Sequence, residues 1–176
     1  REELRKKLPE LKKMEGFPIG EVEDIIELSD PPYYTACPNP WLDYFIQEWE
    51  KNKSTLIDKG LRSQSNEVNS PYALDITEGK NNKYYRLHTY HTKVPHPAIM
   101  RYILHYTEPG DIIFDGFGGT GMTGVAAKEC GNPDREIKHK IDTEFFSKYN
   151  KKPNWGEREC IVSDLAPSAT FISSNL

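Results

Sequence analysis

Asp30-Pro31-Pro32-Tyr33 and Asp115-Gly116-Phe117-Gly118-Gly119-Thr120-Gly121-Met122-Thr123 are the two places in this chain where residue types and spacing suit chemistry. The exocyclic amine of a nucleobase is a poor nucleophile, because its lone pair is delocalised into the ring. A carboxylate and a backbone carbonyl accepting the two amine hydrogens, with an aromatic ring stacked on the base, localise that lone pair and fix the nitrogen for attack. Asp30 supplies such a carboxylate, Pro31 the carbonyl and Tyr33 the ring, while Pro31 and Pro32 stiffen the turn. A base read this way has to leave its duplex to be reached. Standing alone, the tetrapeptide also reads as a strand-terminating turn with a buried tyrosine.

The second segment is a strand running into a glycine-rich loop and a helix. In open α/β sheets ligands bind where strands end and helices begin, and glycine there lets backbone approach a ligand closely. Gly116, Gly118 and Gly121 satisfy G-x-G-x-x-G, so a dinucleotide and a nicotinamide-dependent oxidoreductase are one reading. A tight turn using glycine only for packing is another. Asp115 favours a third: a carboxylate at the strand tip repels a pyrophosphate but suits the cationic amino and sulfonium groups of S-adenosylmethionine. The helix beyond Gly121 presents its N-terminus to the methionine carboxylate, and Asp164, at the end of the next strand, accepts from the ribose hydroxyls.

The elements that must position these groups follow from pattern. Residues 2–14 have helix-forming composition interrupted by Pro9, and Val22–Leu28 reads as a short strand ended by Pro31 and Pro32. A helix is expected over 41–51, with Trp41, Tyr44, Phe45 and Trp49 on one face as core. Residues 52–82 are polar and read as a long loop. A helix follows from about 97 to 106, then a strand over 111–114 buried on both faces, a helix over 122–130, and a charged insertion around 135–155. A second buried strand over 159–164 and a helix from Pro167 complete the pattern. Strand, helix, strand, helix describes an open α/β sheet with right-handed crossovers.

Composition narrows the class. With 176 residues the chain has room for one domain or part of one, divided as 1–51, a polar loop over 52–88 and a β-α-β part over 89–176. A net charge of -4 and a mean hydropathy of -0.73 describe a polar surface that attracts a polyanion only locally. Cys37, Cys130 and Cys160 are too far apart for a zinc knuckle, and reduced thiols in the cytoplasm are expected. His91 and His96 read as surface or backbone-bonded side chains, and no metal site is expected. No apolar run approaches a membrane span. The chain opens on Arg1 and closes in a stretch of helical composition, so a fragment of a larger polypeptide is expected.

Taken together these residues resemble the amino-group DNA methyltransferases that act on adenine N6 or cytosine N4. Asp30-Pro31-Pro32-Tyr33 is similar to their catalytic tetrapeptide, and Asp115-x-Phe117-x-Gly119-x-Gly121-x-Thr123 to their cofactor loop. His91-Thr92-Lys93-Val94-Pro95 resembles the segment preceding that loop in circularly permuted members. Ser29 to Trp41, with Asp164-Leu165-Ala166-Pro167, looks like the amino-terminal part of large adenine-specific methylases. The resemblance implies a Rossmann-like open parallel sheet with flanking helices, incomplete here. It implies S-adenosylmethionine as cofactor, held by Lys93, Pro95, Asp115, Gly116, Phe117, Gly118, Gly119, Gly121, Thr123 and Asp164. It further implies catalysis by Asp30, Pro31, Pro32 and Tyr33, a flipped adenine in DNA as substrate, and a restriction-modification role. The alternative is a non-catalytic cofactor-binding portion of a larger methylase.

Overall fold

A computed structural model describes residues 1–14, 17, 20–28, 42–64 and 67–176 of the chain. Its elements are α1 (Glu2–Leu11), α2 (Val22–Leu28), α3 (Leu42–Asp58), α4 (Lys83–Arg86), α5 (His96–Tyr106), β1 (Ile112–Asp115), α6 (Met122–Glu129), α7 (Arg135–Tyr149), β2 (Glu159–Val162) and α8 (Pro167–Ser173).

β1 and β2 pair in parallel, Ile113 opposite Cys160 and Asp115 opposite Val162, and form a two-stranded sheet. The strand–helix–strand order read from the sequence is therefore present, while the described sheet is smaller than a full open α/β sheet. Parallel strands need a helical crossover, which α6 and α7 supply. Helices α5 and α6 pack on each other, and α6 packs on β2. The main core joins Met100, Ile103 and Leu104 of α5, Ala126 and Ala127 of α6, Cys130, and Ile141 and Phe145 of α7. Ile113 and Cys160 reach it from the sheet. Phe114, on the opposite face of β1, is 70% exposed, so the expectation of a strand buried on both faces holds for only one of them.

Four further expectations are corrected. Val22–Leu28 is a helix, because Val22, Ile25 and Ile26 fall at helical spacing and pack on Leu4 and Leu8 of α1 in a second, separate cluster. The charged insertion is largely the helix α7, whose Asp134 cap accepts from the Glu136 and Ile137 amides and whose Ile137, Ile141 and Phe145 line one face. Of the aromatic face expected as core, Trp41 lies outside the described residues, Tyr44 and Phe45 are exposed, and Phe45 stacks on Trp49 with ring centroids 5.9 Å apart. His96 is buried rather than at the surface.

The polar stretch after residue 52 is fastened down. α3 carries it to Asp58, and Arg62 then donates to the Pro109 carbonyl at 2.9 Å and to Asp111 at 3.0 Å, beside the start of β1. Farther on, the Tyr72 amide donates to the Tyr106 hydroxyl at 2.9 Å. Glu78 accepts from buried Arg101 at 2.7 Å and from Lys140 at 2.9 Å. The segment thus lies as a strap across α5 and α7.

Candidate ligand cleft at the end of the first strand

The loop after β1 is organised by two carboxylates. Asp115 Oδ1 accepts from the Phe117 amide at 3.1 Å, and its Oδ2 accepts from the Thr123 hydroxyl at 2.6 Å. At the end of β2, Asp164 Oδ2 accepts from the Gly119 amide at 2.8 Å and Oδ1 from the Ala166 amide at 2.9 Å. The Ser163 amide donates to the Asp115 carbonyl and the Gly118 amide to the Ser163 carbonyl, so the loop is laced to the neighbouring strand. Each carboxylate oxygen has a second lone pair, so both aspartates retain accepting capacity.

Two glycines are required by this geometry. A Cβ on Gly118 would lie 2.2 Å from Val162 Cγ1, a clash that only a displaced loop or strand relieves. Gly121 caps α6 at φ +81°, in the left-handed region, and a Cβ there would also meet the Ser173 Cβ at 2.8 Å. Close approach of backbone to β2 and α8 is thus what the glycine pattern encodes at these positions.

The second wall of the site is the segment before α5. The buried Lys93 ammonium donates to the carbonyls of Tyr85 and His88 and sits 4.5 Å from the Tyr85 ring centroid. Burial lowers its pKa. Its charge is spent on binding the turn after α4 together, and this turn carries Tyr90, whose ring lies 3.2 Å from where a Gly119 Cβ would be. Between the two walls is a cleft of about 130 Å³, lined by Tyr90, Thr92, Lys93, Val94 and Ile99 on one side and by Asp115, Phe117, Gly118, Gly119, Thr120, Met122 and Thr123 on the other.

The structure therefore brings Lys93, Asp115, Phe117, Gly118, Gly119 and Thr123 to one cleft. Pro95 is placed as the N-cap of α5, and Gly116 follows the strand tip. Gly121 and Asp164 line a separate pocket of about 400 Å³ against Val162, Cys160 and α8. Asp30, Pro31, Pro32 and Tyr33, with Cys37, lie outside the described residues. Tyr90 and Thr120 line the cleft without having been singled out in the sequence. Thr120 stands between two glycines of the motif itself, which was the available signal; nothing in the local pattern marked Tyr90.

Asp115 is the only carboxylate lining the cleft among the described residues, and it faces the Lys93 side of the cleft, whose ammonium donates to carbonyls. The same carboxylate, after burial, helps push the Cys160 thiol up to about 11, which leaves that cysteine protonated and inert at neutral pH. Phe117 at 88% and Leu165 at 91% exposure project from the two strand ends and offer apolar surface around the cleft.

This arrangement is a glycine-lined cleft with one carboxylate at the carboxyl end of a parallel strand. The family of DNA methylases of the N6/N4 type matches the chain over residues 12–133, from before the Asp30 tetrapeptide to beyond the glycine loop, and the chain belongs to that family. The Type II methyltransferase M.HinfI of Haemophilus influenzae is similar to it, 29% identical over 128 residues, which cover 67% of this chain and 35% of that protein. The chain thus spans about a third of the length of this relative. No solved structure matches it.

Proposed function

We propose that the protein binds S-adenosylmethionine in the cleft between Tyr90 and the Asp115 loop and takes part in methylating adenine N6 in DNA. The observation that carries this reading is the convergence of the 90–95 segment and the 115–123 loop on one cleft with a carboxylate at the strand tip. S-adenosylmethionine supplies an electrophilic methyl group on a sulfonium. Asp115 accepts from the ligand's cationic amino group, and its Thr123 and Phe117 contacts hold the carboxylate in place. Asp164 fixes the loop from the next strand and accepts from the ribose hydroxyls with its remaining lone pairs. A cleft of about 130 Å³ holds the amino-acid end of such a ligand, which leaves the nucleoside end for the exposed surface around Phe117, Leu165 and Asp164. Family membership supports a methyl donor over the dinucleotide reading of the same glycines.

On the substrate side, the Asp30 carboxylate and Pro31 carbonyl accept the two hydrogens of the exocyclic amine while Tyr33 stacks on the base. In a second reading this part supplies the cofactor site and catalysis does not rest on Asp30. Both place the protein with DNA in the cytoplasm. Calorimetry of the full-length protein tests the shared step: S-adenosylmethionine should bind, and Asp115→Ala should weaken it at least about tenfold. Unchanged binding would sink the cofactor assignment. Nucleoside mass spectrometry of DNA treated with the Asp30→Ala protein separates the two readings, since loss of N6-methyladenine selects catalysis by Asp30 and its persistence selects the second.

A further inference from the structure

We infer that Lys80, Lys83 and Arg86, on and just before α4, seat the phosphates of a DNA duplex beside the ligand cleft; the inference rests on the reading of DNA as the substrate. The whole chain carries four more acids than bases, so a polyanion gains little from the molecule at large. One stretch departs from this. From Gly79 to Thr107 the chain holds Lys80, Lys83, Arg86, Lys93 and Arg101 and not one Asp or Glu. Two of these five cations are turned inward: Lys93 is buried on the carbonyls of Tyr85 and His88, and Arg101 is buried on Glu78 and Glu144. The other three are exposed. Among the described residues the Lys80 ammonium and the Arg86 guanidinium have no hydrogen-bond or ion-pair partner.

The nearby carboxylates are committed. Glu78 serves Arg101 at 2.7 Å and Lys140 at 2.9 Å, and Glu129 accepts from the Tyr84 hydroxyl at 2.6 Å. Lys83 lies 4.6 Å from the Tyr84 ring centroid and feels Glu129 and, more weakly, Asp134, so Lys80 and Arg86 are the freer pair. The inner side of the segment is fixed to the protein. Asn82 caps α4 by accepting from the Tyr85 amide at 2.8 Å, and the Tyr84 ring stands edge-on to buried His96 at 5.1 Å. Lys93 joins the same segment to the cleft wall, since it lines the cleft while holding the Tyr85 and His88 carbonyls. Arg86 is four residues from Tyr90 of that wall, at most about 14 Å along the chain. A row of cations three residues apart suits a polymer of phosphates better than a single small anion, and a duplex carries one charge about every 1.7 Å of its axis. A base that must leave its duplex to react needs that duplex held close to the site.

Fluorescence anisotropy of the full-length protein with a labelled DNA duplex of mixed sequence, titrated at several salt concentrations, tests this. Each phosphate contact adds about 0.9 to the slope of log affinity against log salt, so Lys80→Gln combined with Arg86→Gln should lower the slope by about 1.8 and weaken binding at least about tenfold at about 0.1 M salt. Lys13→Gln combined with Lys59→Gln removes two exposed cations elsewhere and should leave slope and affinity at wild-type values. Calorimetric binding of S-adenosylmethionine should be the same in both variants as in the wild type. An unchanged slope in the Lys80 and Arg86 variant overturns the phosphate role, as does an equal loss in the Lys13 and Lys59 variant or a parallel loss of S-adenosylmethionine binding. Failure of the wild-type protein to bind the duplex overturns the reading of DNA as substrate, and this inference with it.

Discussion

His96 shows how much a single side chain can be changed by its surroundings. It is 2% exposed, its ring meets Tyr84 edge-on at 5.1 Å, and its Nδ1 has no partner. Burial lowers its pKa from 6.5 to about 4, against a smaller opposing pull from Glu129. A histidine whose folded pKa lies below its unfolded value is held neutral by the fold. Below pH 6.5 the unfolded chain takes up a proton that the folded chain refuses, so stability falls as pH drops from about 6.5 to about 4 and changes no further below that. Thermal melts should show this loss, on the order of 3 kcal/mol across the window, and His96→Gln should flatten it between pH 6.5 and 5, where few carboxylates titrate. An equally steep dependence in the variant would assign the effect to other groups. Nothing in the local pattern anticipates this burial: His96 stands between prolines in a polar-looking stretch, and what covers its ring includes Tyr84 of α4, distant in sequence.

At the scale of elements, legibility followed periodicity. β1, the glycine loop, α6 and β2 were readable because compact apolar runs and glycines alternate there within a few residues. α2 was misread because isoleucine and valine favour strands in isolation, whereas their spacing serves a helix once Leu4 and Leu8 are opposite. α7 was hidden by its charge, although Ile137, Ile141 and Phe145 recur at helical spacing within it. The strap was least readable, since its anchors are long-range. Buried Arg101 holds α7 through two bonds to Glu144 at 2.7 and 2.9 Å, donates to the Pro97 carbonyl of its own helix, and reaches Glu78 on the strap. Removing a buried cation leaves carboxylates facing one another, so Arg101→Met should cost about 3 kcal/mol by urea denaturation, at the low end because both carboxylates keep some water. Glu78→Gln removes the charge from one of the strap's ties and leaves Arg101 paired with Glu144, so it should cost less than Arg101→Met, while speeding proteolytic cleavage within residues 67–82. Equal stability losses in the two variants would show that the strap is part of the core rather than laid across it.

Among the described residues the whole molecule holds two apolar clusters of unequal size. Leu4, Leu8, Ile25 and Ile26 form the smaller, and the larger unites α5, α6 and α7 with the sheet and carries the cleft on its rim. The cleft thus depends on the larger cluster, and its legibility in the sequence has the same origin: the motif residues are the ones that must pack where strand meets helix. Four buried aliphatic side chains contribute roughly 1.5–3 kcal/mol each. Ordering the ten residues of α1 and the seven of α2 costs about 1–2 kcal/mol per residue before their hydrogen bonds are counted. The smaller cluster is therefore expected to open by itself, well below the free energy of global unfolding. Hydrogen exchange followed by mass spectrometry on the full-length protein should find the amides of α1 and α2 exchanging at least about a hundredfold faster than those of α6, a gap of about 2.7 kcal/mol. Adding S-adenosylmethionine should slow exchange in the 115–123 loop and α6 while leaving α1 and α2 as fast as before, since ligand binding stabilises only the unit that forms its site. Matching protection of all these helices, with or without ligand, would show instead that the two clusters open together and that the segment preceding Asp30 is held by the same core as the glycine loop.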